Sequence, residues 1–172
     1  MAFYDFELDD LIDFRDNATD GIFKIRKYLQ QIKLDRGLCD GFKYIYNEVF
    51  AINGTAQVME LESISSILSA MEDCCRPLYL RRLEITGEII EAFEESCDRL
   101  EEVLDVLDED HYSIDELHEH LNASEVSDVV LYLNGFTRQQ VIPEGAESQG
   151  AKLEQGDIDT LLDDLTHTNG GA

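Results

Sequence analysis

An all-α fold is predicted by three observations. Apolar residues recur at alternating spacings of three and four over most of the first 133 residues. Prolines number only two, Pro77 and Pro143, which leaves long stretches free to be helical. The chain has 172 residues, 44% of them hydrophobic, enough to bury a core. The architecture expected is an up-down four-helix bundle with one or two short extra helices over residues 1–133, a linker over 134–152, and a flexible tail over 153–172 carrying a short amphipathic helix.

The first helix is expected from the stripe Leu8, Leu11, Arg15, Ala18, Ile22, Ile25, Leu29 and Ile32, broken only by Arg15. Gly37 suits a left-handed residue ending it. The second stripe is Phe42, Ile45, Val49, Ile52, Ala56 and Met59. It passes through Asn53-Gly54 without a change of phase. Read alone, that dipeptide is a hairpin signal, but a hairpin would switch the pattern to period two. The segment is therefore helical.

A third helix is expected over about Leu61 to Arg76, with Ile64, Ile67, Met71 and Cys74 inward and Pro77 as its stop. A fourth runs from about Thr86, its N-cap, to Leu107, with Ile89, Phe93, Cys97, Leu100, Leu104 and Leu107 inward. Two shorter helices follow, Ser113 to Leu121, opened by Ser113 and Glu116 in capping-box spacing, and Ser124 to Leu133. From Asn134 to Lys152 glycines, Pro143 and lost periodicity mark the linker. Ile158, Leu161, Leu162 and Leu165 then restore a helical stripe among Asp157, Asp159, Asp163 and Asp164. So short a helix is marginal alone and suits folding onto a partner.

The formal net charge of −25, from 38 acidic and 13 basic residues, repels phosphate backbones and anionic lipid, so nucleic acid and membranes are excluded as partners and basic surfaces are favoured. The acidic amino terminus is unlike a signal peptide, and no apolar run spans a bilayer, so a cytoplasmic protein is expected. There the sequons at Asn53 and Asn122 carry no glycan. The cysteines Cys39, Cys74, Cys75 and Cys97 follow no zinc spacing and read as small core residues. His118 and His120 lie about 200° apart on a helix, so they share no ion and read as a solvated face. No metal, cofactor or phosphate-loop pattern is present.

On the outward side of the second helix lie Tyr46, Asn47, Phe50, Asn53, Gly54 and Gln57. Gly54 in mid-helix costs roughly 0.5–1 kcal/mol against alanine, so it calls for a reason. Here the sequence resembles a family. Ile52, Gly54, Thr55 and Ala56 are similar to the phosphotransfer helix of the histidine-containing phosphotransfer (HPt) domains of chemotaxis-type histidine kinases. Met71, Glu72 and Asp73 resemble the end of that family's third helix, and Phe14 to Ala18 a stretch of its first. The resemblance covers roughly Leu8 to Leu107 and implies an HPt-type bundle. It also implies that Phe50 stands at the phosphorylated histidine, Asn53 at the accompanying lysine, and Ser69 at a second histidine. A phenyl ring accepts no phosphoryl group. The implied protein is a non-phosphorylatable platform whose Gly54 still admits a receiver domain.

In the tail, Gln155, Asp157, Ile158, Asp159, Leu161 and Leu162 resemble the helices by which the flagellar switch protein and the chemotaxis phosphatase hold the chemotaxis response regulator. The function expected is non-catalytic binding of a response regulator in two-component signalling, through the second-helix face and the tail, Leu165 included. One alternative is a phosphatase of that regulator, in which Asn53 and Gln57 orient the attacking water. Another is a dimerising bundle closed by Phe50.

Overall fold

The computed structural model describes residues 7–106, 114–123 and 125–138. It is all-helical: α1 (Leu8–Leu34), α2 (Asp40–Val58), α3 (Glu62–Tyr79), α4 (Gly87–Asp105), α5 (Ile114–Ala123) and α6 (Ser127–Arg138), with no strand among the described residues. The chain divides into two units, Met1–Arg138 and Gln139–Ala172. The expected linker from residue 139 on, the tail helix, Leu107 and the Ser113 cap lie outside the described residues. Helix α6 continues through Asn134 and Gly135 to Arg138, five residues that composition had assigned to the linker.

Helix α1 packs on α2 and α4, and α3 packs on α2, α4, α5 and α6. The apolar stripes face one continuous core in which Phe42 of α2 meets Phe93 of α4 edge-on, 5.3 Å between ring centres. Every expected inward residue of α2, α3 and the described part of α4 is buried. On α1 the stripe uses Phe14 in place of Arg15. Arg15 lies at its edge and reaches Asp16 at 2.9 Å, while Leu8 is exposed.

The helix ends differ from expectation in two places. Gly37 is not left-handed. Instead Asp35 turns to extended backbone, and its side chain accepts the Gly37 N–H at 2.9 Å, a local side-chain turn that does the work of a glycine cap. Pro77 does not stop α3 but sits inside its last turn. Burial of Cys74, Cys75 and Leu78 holds that turn helical against the proline's local bias. The helix ends instead on Arg81, left-handed at φ 57°, with Arg82 N–H donating to the Pro77 carbonyl (2.8 Å) and Arg81 N–H to that of Leu78 (3.1 Å). Helix α2 ends the same way on Glu60, with Leu61 N–H bonded to the Ala56 carbonyl and Glu60 N–H to that of Gln57. Neither of these left-handed ends uses a glycine.

Candidate functional site: the outer surface of α2

The α2 stripe is wider than its spacing implied. Ser65 and Ser69 on α3 are small, and α2 lies against them so closely that Asn53 is only 3% exposed. Its side-chain nitrogen donates to Ser69 Oγ (3.1 Å) and to Glu72 Oε1 (2.8 Å), while its oxygen accepts from Ser65 Oγ (2.9 Å). The expectation that Asn53 faces outward, as a partner contact or a water-orienting amide, is therefore corrected: burial and three hydrogen bonds commit it to the α2–α3 seam. The overlooked signal was the polar stripe Ser65, Ser69, Glu72, spaced by four and three on the facing helix.

The other α2 residues remain at the surface. Asn47, Phe50, Gly54 and Gln57 are exposed, and Tyr46 is half-buried. The Phe50 ring is 59% exposed and lies nearly parallel to Tyr46 at 6.0 Å. Tyr46 in turn meets Tyr79 of α3 edge-on at 5.7 Å, and its hydroxyl accepts from Arg76 Nη2 at 3.3 Å. A Cβ built on Gly54 would meet nothing within 4 Å. The fold itself therefore does not require glycine there.

Residue pairing shows that α2 and α3 run antiparallel: Tyr46 meets Arg76 and Tyr79, and Asn53 meets Ser65, Ser69 and Glu72. The shared surface is polar at one end and aromatic at the other. Toward the end of α2, Gln57, Glu60, Leu61, Glu62, Ser65 and Ser66 line an open recess of about 530 Å³. Toward its start come Phe50, Tyr46, Tyr79 and Arg76.

Helix α5 closes the α2–α3 turn, a role sequence reasoning missed. Asn122 Oδ1 accepts the Glu62 N–H (2.7 Å) at the start of α3, and its nitrogen donates to the Glu60 carbonyl (3.1 Å). The Asn122 carbonyl accepts from Ser63 Oγ (3.0 Å). His118 Nε2 lies 3.0 Å from the Met59 carbonyl, so this side chain is a tertiary contact and not a solvated one. Both sequon asparagines are thus built into the packing. Pattern reading could not pair positions 60 residues apart.

Chemically, the α2 surface offers contact and no phospho-accepting nucleophile at position 50. Gln57 alone remains of the two amides expected to orient water. No group of three or more potential metal ligands occurs among the described residues, and no described helix is long and apolar enough to cross a membrane. The tail residues Asp157, Ile158, Asp159, Leu161, Leu162 and Leu165 lie outside the described residues. Comparison with family models, curated proteins and solved structures finds no match to this chain.

Proposed function

We propose that this chain is an HPt-like protein that binds the receiver domain of a chemotaxis-type response regulator without transferring phosphate. In this reading α1 to α4 are the up-down core of the HPt type, and the second-helix surface is the docking face. The acidic tail helix tethers the same partner by raising its effective concentration, within the cytoplasm.

The observation that carries the reading is the pair Phe50 and Gly54, one turn apart on exposed helix. A mid-helix glycine is unfavourable, and the space above Gly54 is open, so internal packing does not account for it. Close approach by another surface does. An exposed aromatic beside it, stacked on a second ring, is the kind of anchor such an interface uses. Since Asn53 is committed internally, the docking set reduces to Tyr46, Asn47, Phe50, Gly54 and Gln57, and the two-amide phosphatase mechanism loses support.

The test is calorimetric titration with a chemotaxis-type receiver, phosphorylated and unphosphorylated. Phe50→Ala is expected to weaken binding by about 1–3 kcal/mol. Gly54→Ala is expected to weaken binding while raising thermal stability. Absence of binding to both receiver forms overturns the reading. Faster loss of the receiver's phosphate, abolished by Gln57→Ala, would replace it with a phosphatase. Concentration-dependent dimerisation lost in Phe50→Glu would replace it with the symmetric bundle.

A further inference from the structure

The chain's basic residues are distributed unevenly. Arg15, Lys24, Arg26, Lys33 and Arg99 each sit on carboxylates. Arg26 is the clearest case, bridging Asp98 at 2.6 Å and Glu101 at 2.7 Å. By contrast, Arg76, Arg81 and Arg82 make no ion pair with a described carboxylate, though acids outnumber bases 38 to 13. The same holds for the scattered Lys27, Arg36, Lys43 and Arg138, but these three are grouped at one end of α3. Asp73 acts on Arg76 only through its field, and Arg76 hydrogen-bonds a tyrosine instead. All three arginines are exposed at the end of α3. There the left-handed turn at Arg81 folds the chain back over Pro77 and Leu78.

This cluster is continuous with the aromatic residues. Arg76 lies 5.9 Å from the centre of the Tyr46 ring, Tyr46 stacks on Phe50, and Tyr79 sits two residues before Arg81. An acidic protein has abundant carboxylates with which to neutralise three arginines, and here they are left unneutralised beside the exposed Phe50 ring and the half-buried rings of Tyr46 and Tyr79. We propose that Tyr46, Phe50, Tyr79, Arg76, Arg81 and Arg82 form a docking surface for an acidic-apolar protein surface: an apolar side chain set against the rings, flanked by carboxylates facing the arginines. Arginine forks fit carboxylates in two-point contacts, and rings beside them exclude water from those contacts. The whole-chain charge favours basic partners, so this end is a local exception. At physiological ionic strength screening over about 8 Å lets the local charges govern contact.

The inference deepens the receiver-binding reading, by stating what the receiver must present, and rests on it only for the partner's identity. The test uses two probes on the full chain. One is a fluorescein-labelled peptide alternating glutamate pairs with leucine and phenylalanine; the other is the receiver domain. Wild-type protein is expected to bind the glutamate peptide through Arg81 and Arg82, whereas any binding of its lysine-for-glutamate counterpart to the acidic remainder of the surface is expected not to depend on them. Arg81→Glu/Arg82→Glu is expected to weaken binding at least tenfold, as is Phe50→Ala, with Arg81→Gln/Arg82→Gln intermediate and helical circular dichroism unchanged. Indifference of glutamate-peptide binding to the arginine substitutions, or preference for a single-stranded oligonucleotide, would overturn the inference. Receiver binding lost in Phe50→Ala but intact in the arginine variants would overturn it and leave the receiver reading standing. Arginine-dependent peptide binding without receiver binding would do the reverse.

Discussion

Asn53 Nδ2 stands 2.8 Å from Glu72 Oε1, across the seam between α2 and α3. With Ser69 and Ser65 on its remaining donor and acceptor, one amide holds three side chains of the facing helix. Asn53→Ala leaves those groups without their partner at a half-buried seam, which costs about 1–3 kcal/mol. Asn53→Asp costs more, because it replaces a donor with a second negative charge facing Glu72. Urea unfolding followed by circular dichroism should rank the wild type above the alanine variant and that above the aspartate variant. A neutral alanine substitution would mean the network contributes nothing net.

That seam marks where sequence reasoning stopped. The helix interiors were legible because each stripe is periodic and local: Phe42 to Met59 reads as helix straight through Asn53-Gly54. Phe14 and Arg15 were confused because two adjacent positions both satisfy a three-four spacing, and only packing decides which turns inward. Pro77 misled because a local steric bias was outweighed by burial of Cys74, Cys75 and Leu78. The exposed part of the candidate face, Phe50 and Gly54, was visible as a departure from a good helix sequence. Burial of Asn53 and the Asn122 clasp were not, since both depend on partners in another helix.

The Asn122 clasp supplies the second prediction. Helix α3 begins at Glu62 after Leu61, which makes no side-chain cap; the cap comes from Asn122 on α5. Asn122→Ala should therefore cost about 0.5–2 kcal/mol, the range for loss of a helix cap. Hydrogen exchange should quicken at the Glu62 amide while α1 amides keep their protection. Uniform quickening throughout the protein would instead indicate loss of global stability without a local cap.

The buried thiols set an alkaline limit. Removal from water pushes Cys74 up to about 12, with Asp73 adding to it. Burial likewise pushes Cys97 up to about 12 against the opposing pull of Arg26, and raises Cys75 well above its ordinary value. A folded thiol that keeps its proton while the unfolded chain releases it stabilises fully below the ordinary value of 9.0. That stability is lost as pH rises toward 12, at about 1.4 kcal/mol per pH unit per thiol. Unfolding free energy should therefore fall between pH 9 and 11. The slope should be shallower in Cys97→Ala by roughly one proton. An unchanged slope would show that other groups govern the alkaline transition.

Two glycines give opposite responses to the same substitution. A Cβ on Gly54 meets open space, so Gly54→Ala should stabilise by about 0.5–1 kcal/mol through helix propensity. On Gly21 a Cβ would stand 2.6 Å from Ile52 Cδ1 and 3.2 Å from Cγ1, where α1 crosses α2. Overpacking costs about 1–3 kcal/mol and offsets the propensity gain, so Gly21→Ala should lower the melting temperature. The clash lies chiefly with one terminal methyl. In an Ile52→Val background, which removes it, Gly21→Ala should become close to neutral. The double-mutant cycle then shows a favourable coupling between positions 21 and 52. Additive effects would mean that α1 and α2 separate to admit the methyl group, and that their close approach is not fixed by Gly21.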